Sequence, residues 1–196
     1  MDPNLYIVVL GGKVSSSNIE QHDVRWVVGT SIEETYGQLS MQWFGLNEGL
    51  HIDSYMKVNY IDGFKIVLKR IQAGLKLSNA KSNSHNKQLL WFVNLGAYDP
   101  SELYELHQFT LVVSHNSISA KKIAMNRCLS NYKYRHNDNT HSIPCSAKVD
   151  GCNIIENING WSIYLEKDPL NRSQKIIPDF YGFMPIYKAS QAKIPF

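Results

Sequence analysis

The chain has 196 residues, of which 43% are hydrophobic and 11% aromatic, enough apolar material for one large core or two small ones. Only 19% of the residues are charged, and the net charge is +3. This composition excludes extensive disorder. The Lys and Arg residues are scattered along the chain, which argues against a nucleic-acid partner because such a partner requires a concentrated basic face.

In chain order, the first half predicts a strand, a long loop, a second strand, a helix, and two strands joined by a tight turn. Residues 5–11 are apolar on both faces, as in the central strand of a sheet. Val24, Trp26 and Val28 stand two residues apart, the period of a strand with one buried face. The pattern therefore predicts two neighbouring strands before the helix.

The helix is expected to begin at Ser31, because its hydroxyl can cap the first amides and Glu34 follows three residues later, as in a capping box. An apolar stripe at helical spacing is formed by Ile32, Tyr36, Leu39 and Trp43. The last two strands of this half meet at Asp62 and Gly63, a dipeptide that favours tight hairpins. We expect antiparallel pairing, with the helix on one face of the sheet.

The second half repeats this order of elements. Residues 90–96 align with residues 5–11 at an offset of 85, since 90 − 5 = 85. The same offset carries the Glu-x-His sequence of residues 20–22 onto residues 105–107. The chain is therefore predicted to be an internal duplication of one half-domain.

The fold class expected from these elements is α+β. Two tandem copies of a strand-strand-helix-strand-strand unit would form mainly antiparallel sheet with helices on one face, followed by a C-terminal arm. The aromatic residues of the arm indicate that it packs on the repeats. The expected organisation is a first repeat over 1–78, a linker over 79–88, a second repeat over 89–167 and the arm over 168–196.

Six short segments carry a resemblance to a known family: LGG at 10–12, NIEQHD at 18–23, HIDSY at 51–55, DGF at 62–64, NLG at 94–96 and ELH at 105–107. Over these segments the chain resembles a bacterial family known only as domain of unknown function 1543. The resemblance covers about residues 5–166 and implies the duplicated α+β arrangement without an established activity. The family's second copy is richer in acidic residues where this chain has residues 142–145.

The leading candidates for a functional site are Glu20 with His22 and their counterparts Glu105 with His107. Alternate residues of a strand share a face, and a carboxylate beside an imidazole can orient it. Ligand binding and general acid-base catalysis are both compatible with these pairs. So is a structural role, in which the side chains bind backbone groups of the loop that follows the first strand.

His51 and Asp53 are further catalytic candidates, two residues apart on one face. Met56 has the opposite parity, so His51 and Asp53 are expected to face solvent unless a β-bulge intervenes. In the second half their counterpart is either His136 or His141. We favour His141 as a ligand-binding residue, because it fits the alignment of the residues that follow. The aspartate then has no equivalent, which argues against a symmetric catalytic pair.

No metal site is predicted from the remaining His and Cys residues. A zinc site is disfavoured because paired ligands normally stand as CxxC or HxxxH, a spacing absent from His136, His141, Cys145 and Cys152. Three cysteines without such a pair fit reduced thiols. The sequence leaves the cofactor unknown.

The function expected from these features is a non-catalytic module that binds a ligand or a protein in a pseudo-symmetric groove between the repeats. The alternatives are a metal-assisted or acid-base hydrolytic enzyme that uses the Glu-x-His site, and an exported effector that acts through protein contacts. A protein partner or a homodimer fits the first hypothesis. The longest apolar run is short and the N-terminus lacks signal-peptide charge, so a soluble cytoplasmic protein without a membrane partner is expected.

Overall fold

The computed structural model describes residues 2–71, 87–128, 134–142 and 157–186, with residues 134–142 and Asn157 described by their backbone. The chain forms two compact units. Unit 1 comprises the chain up to Asn59 together with the segment from Ile177, and unit 2 runs from Tyr60 to Ile176. These units group residues by contact, so the repeat boundaries drawn from sequence likeness stay a prediction. Most of the predicted linker lies outside the described residues.

Strands dominate the described part of the chain, and two helices interrupt them. In chain order the elements are β1 (Asn4–Gly12), β2 (Gln21–Gly29), a 3-10 turn (Glu33–Thr35), α1 (Tyr36–Gln42), β3 (His51–Lys57), β4 (Tyr60–Ile61), β5 (Phe64–Arg70), β6 (Leu89–Tyr98), β7 (Leu106–Ser114), α2 (Ser117–Arg127), β8 (Tyr134–Ser142), β9 (Asn157–Ile158), β10 (Trp161–Lys167) and β11 (Phe180–Pro185). Within the described ranges, neither helix is long and apolar enough to span a bilayer.

The strands pair in three antiparallel sheets, which confirms the predicted α+β class. Unit 1 holds the sheet β11-β3-β1-β2, and unit 2 holds the sheets β7-β6-β8 and β4-β5-β10-β9. The order of elements from β1 to β5 recurs from β6 to β10. The duplication that this order suggests stays a prediction.

The core of unit 1 lies between α1 and one face of its sheet. Tyr6, Val8 and Leu10 of β1 are almost fully buried, and they belong to the same apolar cluster as the predicted helical stripe. In that stripe Ile32, Leu39 and Trp43 are buried, and Tyr36 is partly buried. Burial of one large apolar side chain stabilises a fold by about 1.5–3 kcal/mol. The helix is therefore held mainly by its packing on the sheet.

The predicted start of this helix was wrong. A 3-10 turn precedes α1, and no side-chain cap is formed at its first residue. Glu34 Oε2 accepts a hydrogen bond from the backbone N–H of Thr30 at 2.8 Å, and the backbone N–H of Ser31 also donates to this carboxylate. The Thr35 hydroxyl donates to the carbonyl of Ile32 at 2.6 Å. The capping-box pattern therefore indicated the contact of Glu34 with Ser31, but not the 3-10 turn that delays the α-helix to Tyr36.

Two hairpin turns in unit 2 have the backbone expected from their sequences. Asp62 and Gly63 have φ values of 51° and 77°, and Asn159 and Gly160 have 47° and 81°. Positive φ at both central residues is the requirement of the tight turns that Asp-Gly and Asn-Gly favour. These turns connect β4 to β5 and β9 to β10.

The C-terminal segment contributes to both units. Asp168 directly follows β10, and its carboxylate accepts hydrogen bonds from Arg172 Nε at 3.0 Å and Nη2 at 2.8 Å. Hydrogen bonding to this guanidinium lowers the pKa of Asp168 from 3.8 to about 2. The guanidinium lies 3.9 Å above the ring of Tyr60. Further along, β11 pairs with β3 and so forms an edge of the unit 1 sheet.

Candidate functional site

A β-bulge in β3 places His51 on an unexpected face. Met56 lies opposite Ile7 and His51 lies opposite Gly11. These positions are four residues apart on β1 and five apart on β3, because Asp53 is an extra residue at the register shift. His51 is therefore only 5% exposed. The expectation that it faces solvent was wrong, and the bulge is the reason.

A glycine provides the space that brings the candidate residues together. Gly11 lies between His22 on β2 and His51 on β3. A Cβ on Gly11 would lie 2.7 Å from His51 Nε2 and 3.0 Å from Asp53 Oδ2, and it would overlap Glu20 Oε1. These side chains therefore occupy the space above a position that has no side chain of its own.

Four predicted candidates, Glu20, His22, His51 and Asp53, form one cluster, which we call the His51 cluster. His51 Nε2 lies 2.9 Å from Glu20 Oε1 and 3.2 Å from Asp53 Oδ1. His22 Nε2 lies 3.3 Å from the other oxygen, Asp53 Oδ2. Asp53 thus connects the two histidines, and Glu20, the last residue of the loop after β1, contacts His51 through its side chain.

The hydrogen bonds of His51 constrain where protons can lie. His51 Nδ1 lies 2.8 Å from the carbonyl oxygen of Gly49, and since a carbonyl only accepts, Nδ1 must donate. On the other side of the ring, Nε2 faces the carboxylates of Glu20 and Asp53. Each of these contacts is a hydrogen bond only when a proton lies on Nε2 or on the carboxyl group concerned. The cluster is therefore a set of acceptors that requires a proton or another cation among them.

The side chains of the cluster range from buried to half-exposed. The side chain of His51 is 6% exposed, whereas those of His22 and Glu20 are 56% and 42% exposed. Asp53 is intermediate at 32%. An external group can therefore reach both carboxylates while the buried imidazole keeps them in place.

Phe183 covers one side of the cluster, and the sequence did not reveal this residue. Its ring centroid lies 4.1 Å from that of His51, with planes inclined by 35°. It stands where the pairing of β11 with β3 is irregular, next to Gly182 at φ 133°. The ring itself is 67% exposed. The aromatic arm was visible in the sequence, but its register against β3 was not.

The neighbouring carboxylate of Asp23 belongs to the opposite face of β2. It forms an ion pair with Arg25, because alternate residues of a strand share a face. Asp23 is therefore a natural control for Glu20, since it differs in face and not in charge.

In unit 2, Glu105 and His107 lie close together. His107 Nε2 is 3.8 Å from Glu105 Oε2, and His107 Nδ1 is 3.5 Å from Asn94 Nδ2. The side chain of His107 is 51% exposed, and Glu105 is more buried at 24%. His107 lies opposite Gly96 on β6, the same relation that His22 has to Gly11.

The backbone register of β8 favours His136 over His141 as the counterpart of His51. His136 lies opposite Gly96, as His51 lies opposite Gly11. His141 lies opposite Phe92 and takes the register position of Met56. The alignment that favoured His141 depended on residues further along the chain, and these residues lie outside the described part.

Other predicted features can be placed only in part. Among residues 2–71, 87–128 and 157–186, no group of three or more His, Cys, Asp or Glu side chains is arranged to hold a metal ion. Cys128 is a buried thiol, and burial raises its pKa. Cys145 and Cys152 lie outside the described residues.

Comparison with known proteins agrees with the resemblance found in the sequence. A family model described as Domain of Unknown Function (DUF1543) matches residues 17–68. The predicted resemblance is confirmed over that stretch. The stretch contains the whole His51 cluster.

One solved structure is similar over nearly the whole chain. It is the crystal structure of protein Il1583 from Idiomarina loihiensis, with a TM-score of 0.67 and 28% sequence identity. The similarity covers 95% of this chain and 99% of that chain. No curated protein matches the chain significantly.

Proposed function

We propose that the protein is a non-catalytic binding module whose ligand presents a protonated amine to the His51 cluster. The observation that carries the proposal is the set of acceptor atoms on Glu20 and Asp53 around the buried ring of His51. A group that offers several hydrogen-bond donors and a positive charge matches such a set.

The charge of the cluster supports a cationic ligand. Glu20 and Asp53 supply two carboxylates, and one proton shared with His51 offsets only one negative charge. A cationic ligand can offset the other. Among the described residues, Glu20 Oε2 makes no hydrogen bond, so it can accept one from a ligand.

The surroundings of the cluster support an organic cation. The exposed ring of Phe183 beside His51 adds an aromatic face, which attracts cations and the alkyl group next to an amine.

A titration with n-butylammonium chloride tests the proposal, with n-butanol and sodium chloride as neutral and ionic controls. NMR signals of the histidine rings report binding at His22 and His51. We expect saturable shifts of both signals with n-butylammonium and none with either control. Equal shifts with sodium chloride, or no shifts at all, would contradict the proposal.

A pair of carboxylate variants gives this titration its control. Glu20→Gln removes a charge from the cluster and is expected to weaken n-butylammonium binding about tenfold, the size of one charge-assisted hydrogen bond. Asp23→Asn removes the same charge from the opposite face, where Asp23 pairs with Arg25, and should leave binding unchanged. Equal effects of the two variants would show that only net charge matters.

A second candidate function is acid-base catalysis, favoured by the order of contacts in the cluster. The exposed ring of His22 is held by Asp53, which is itself held by the buried His51. An exposed base oriented by a second and a third group is the arrangement that proton transfer requires. Hydrolysis of p-nitrophenyl esters that is lost in His22→Gln and kept in His115→Gln would favour this enzyme over the binding module.

The groove expected between the repeats, a protein partner or homodimer, and export as an effector stay predictions. The titration depends on none of them, because the cluster lies within unit 1.

A further inference from the structure

We propose that unit 2 carries a second site of the same kind, built from Glu105, His107, His136 and Asp138. Its ligand class, a protonated amine, rests on the function proposed for the His51 cluster. The placement of its residues rests on the backbone register of β6 with β7 and β8.

The first argument is a glycine that lies between two histidines. On β6, Gly96 lies opposite His107 of β7 and opposite His136 of β8. In unit 1 the equivalent glycine, Gly11, provides the space in which the carboxylates and the buried imidazole meet. Gly96 is also buried and has the same register position in unit 2, so we expect it to provide equivalent space.

The second argument is the bulge. In unit 1 the register of β1 with β3 shifts so that Asp53 is the extra residue. In unit 2 the register of β6 with β8 shifts so that Asp138 is the extra residue. Since 138 − 53 = 85, the bulged aspartates keep the offset of the central glycines, the Glu-x-His sequences and the histidines of β3 and β8. One offset therefore relates all the residues of the two sites.

The third argument comes from the side chains that are described. Glu105 and His107 already approach to 3.8 Å, and half of the His107 ring is exposed. A bound amine can therefore reach His107 from solvent. His107 also stands at the register position of His22, which is the exposed imidazole of the first site.

The two sites differ in what lies beside them. In unit 1, β11 pairs with β3 and supplies Phe183. In unit 2, β8 is the edge of the described sheet β7-β6-β8. Among the described strands, none pairs with the outer side of β8 as β11 pairs with β3, so we expect the second site to bind an amine more weakly than the first.

The seven histidines of the chain allow one experiment to test both sites. Ring signals are assigned with single His→Gln variants, and the whole protein is titrated with n-butylammonium chloride against n-butanol and sodium chloride. We expect two saturable sets of shifts. His22 and His51 form the tighter set, and His107 and His136 form a set with about severalfold weaker affinity.

The outcomes separate the inference from the function on which it rests. Shifts confined to His22 and His51 would overturn the second site and leave the first. Shifts confined to His107 and His136 would support the second site and overturn the first. Shifts at His107 and His141 would overturn the register argument, and the absence of any specific shift would overturn both sites.

Two variants on β8 provide a matched control. His136→Gln should abolish the shift of His107 and spare that of His22. His141→Gln changes the same residue type on the same strand and should leave both shifts intact. Glu105→Gln tests the site without altering β8, in case the first variant does not fold, and should weaken the second set about tenfold. An unchanged second set in Glu105→Gln would contradict the proposal.

Discussion

The sheets of the two units place the same residue types around their central strands and differ at their outer edges. In unit 1 the histidine strand β3 lies between β1 and β11, so His51 is buried and stacked by Phe183. In unit 2 the corresponding strand β8 is an edge of its described sheet. We infer from this difference that a glycine and a bulge create the position of a site, whereas the neighbouring strand determines how firmly it is held.

The largest effect should follow from filling the glycine position of either unit. In Gly11→Ala the new Cβ displaces His51, whose ring is fixed by the carbonyl of Gly49 and cannot move freely. We expect a loss of about 1–3 kcal/mol in the free energy of unfolding, measured by urea denaturation, and no n-butylammonium shift at His22. Gly96→Ala should spare the shift of His22 and remove that of His107. If either single variant lost both sets of shifts, the two units would not hold independent sites, and the comparison would be contradicted.

The next effect separates the buried and exposed imidazoles of unit 1. His51→Ala leaves two carboxylates facing each other without the ring between them, which is expected to cost about 1–3 kcal/mol. His22→Ala removes a half-exposed ring and should cost less than about 1 kcal/mol. Urea denaturation of both variants measures the difference. Equal costs would show that burial does not distinguish the two histidines.

A smaller effect concerns the aromatic ring that β11 places beside His51 in unit 1. Phe183→Ala should weaken n-butylammonium binding at the His51 cluster by about 0.5–1.5 kcal/mol, or roughly two- to tenfold, and bring it close to the affinity of the second site. Tyr181→Ala is the control, because Tyr181 is exposed and lies on the same strand. Affinities come from the histidine titration. An unchanged affinity in Phe183→Ala would show that β11 does not cause the difference between the sites.

The smallest effect is a loss of stability in acid, which we expect to arise in unit 2 from protonation of Asp168. Because its pKa is lowered to about 2 in the folded chain, the carboxylate stabilises the fold fully above its ordinary value of 3.8. That contribution is lost as the pH falls from about 4 through about 2. Urea midpoints across this range should therefore depend less on pH in Asp168→Asn than in the parent chain. Asp2→Asn, at an exposed position, should match the parent, and a parent-like slope in Asp168→Asn would contradict the assignment.

The sequence was sufficient for features that depend on local pattern. The buried first strand, the alternation that separates Glu20 from Asp23, and the Asp-Gly and Asn-Gly turns all follow from residue type and spacing. The candidates of unit 1 were also identified, because a Glu-x-His pair and a His-x-Asp pair are recognisable without a structure.

Features that depend on pairing between distant segments were not predictable. A one-residue bulge reverses strand parity without leaving a signal in residue type, so the sequence could not decide which face His51 occupies or which histidine of β8 lies opposite Gly96. Phe183 reaches His51 only because β11 pairs with β3 across more than a hundred residues of chain. Helix-start rules failed at Ser31 because a 3-10 turn precedes the α-helix and moves its first residue to Tyr36.

The most direct test of the central claim is a crystal structure of the whole protein grown with n-butylammonium chloride. We predict an ammonium nitrogen about 2.7–3.1 Å from oxygens of Glu20 and Asp53, with the alkyl group against Phe183 and the ring of His51 unmoved. Two results would contradict the claim. One is that, at saturating n-butylammonium, Glu20 and Asp53 contact only the histidine rings. The other is a metal ion about 2.0–2.2 Å from His51 Nε2.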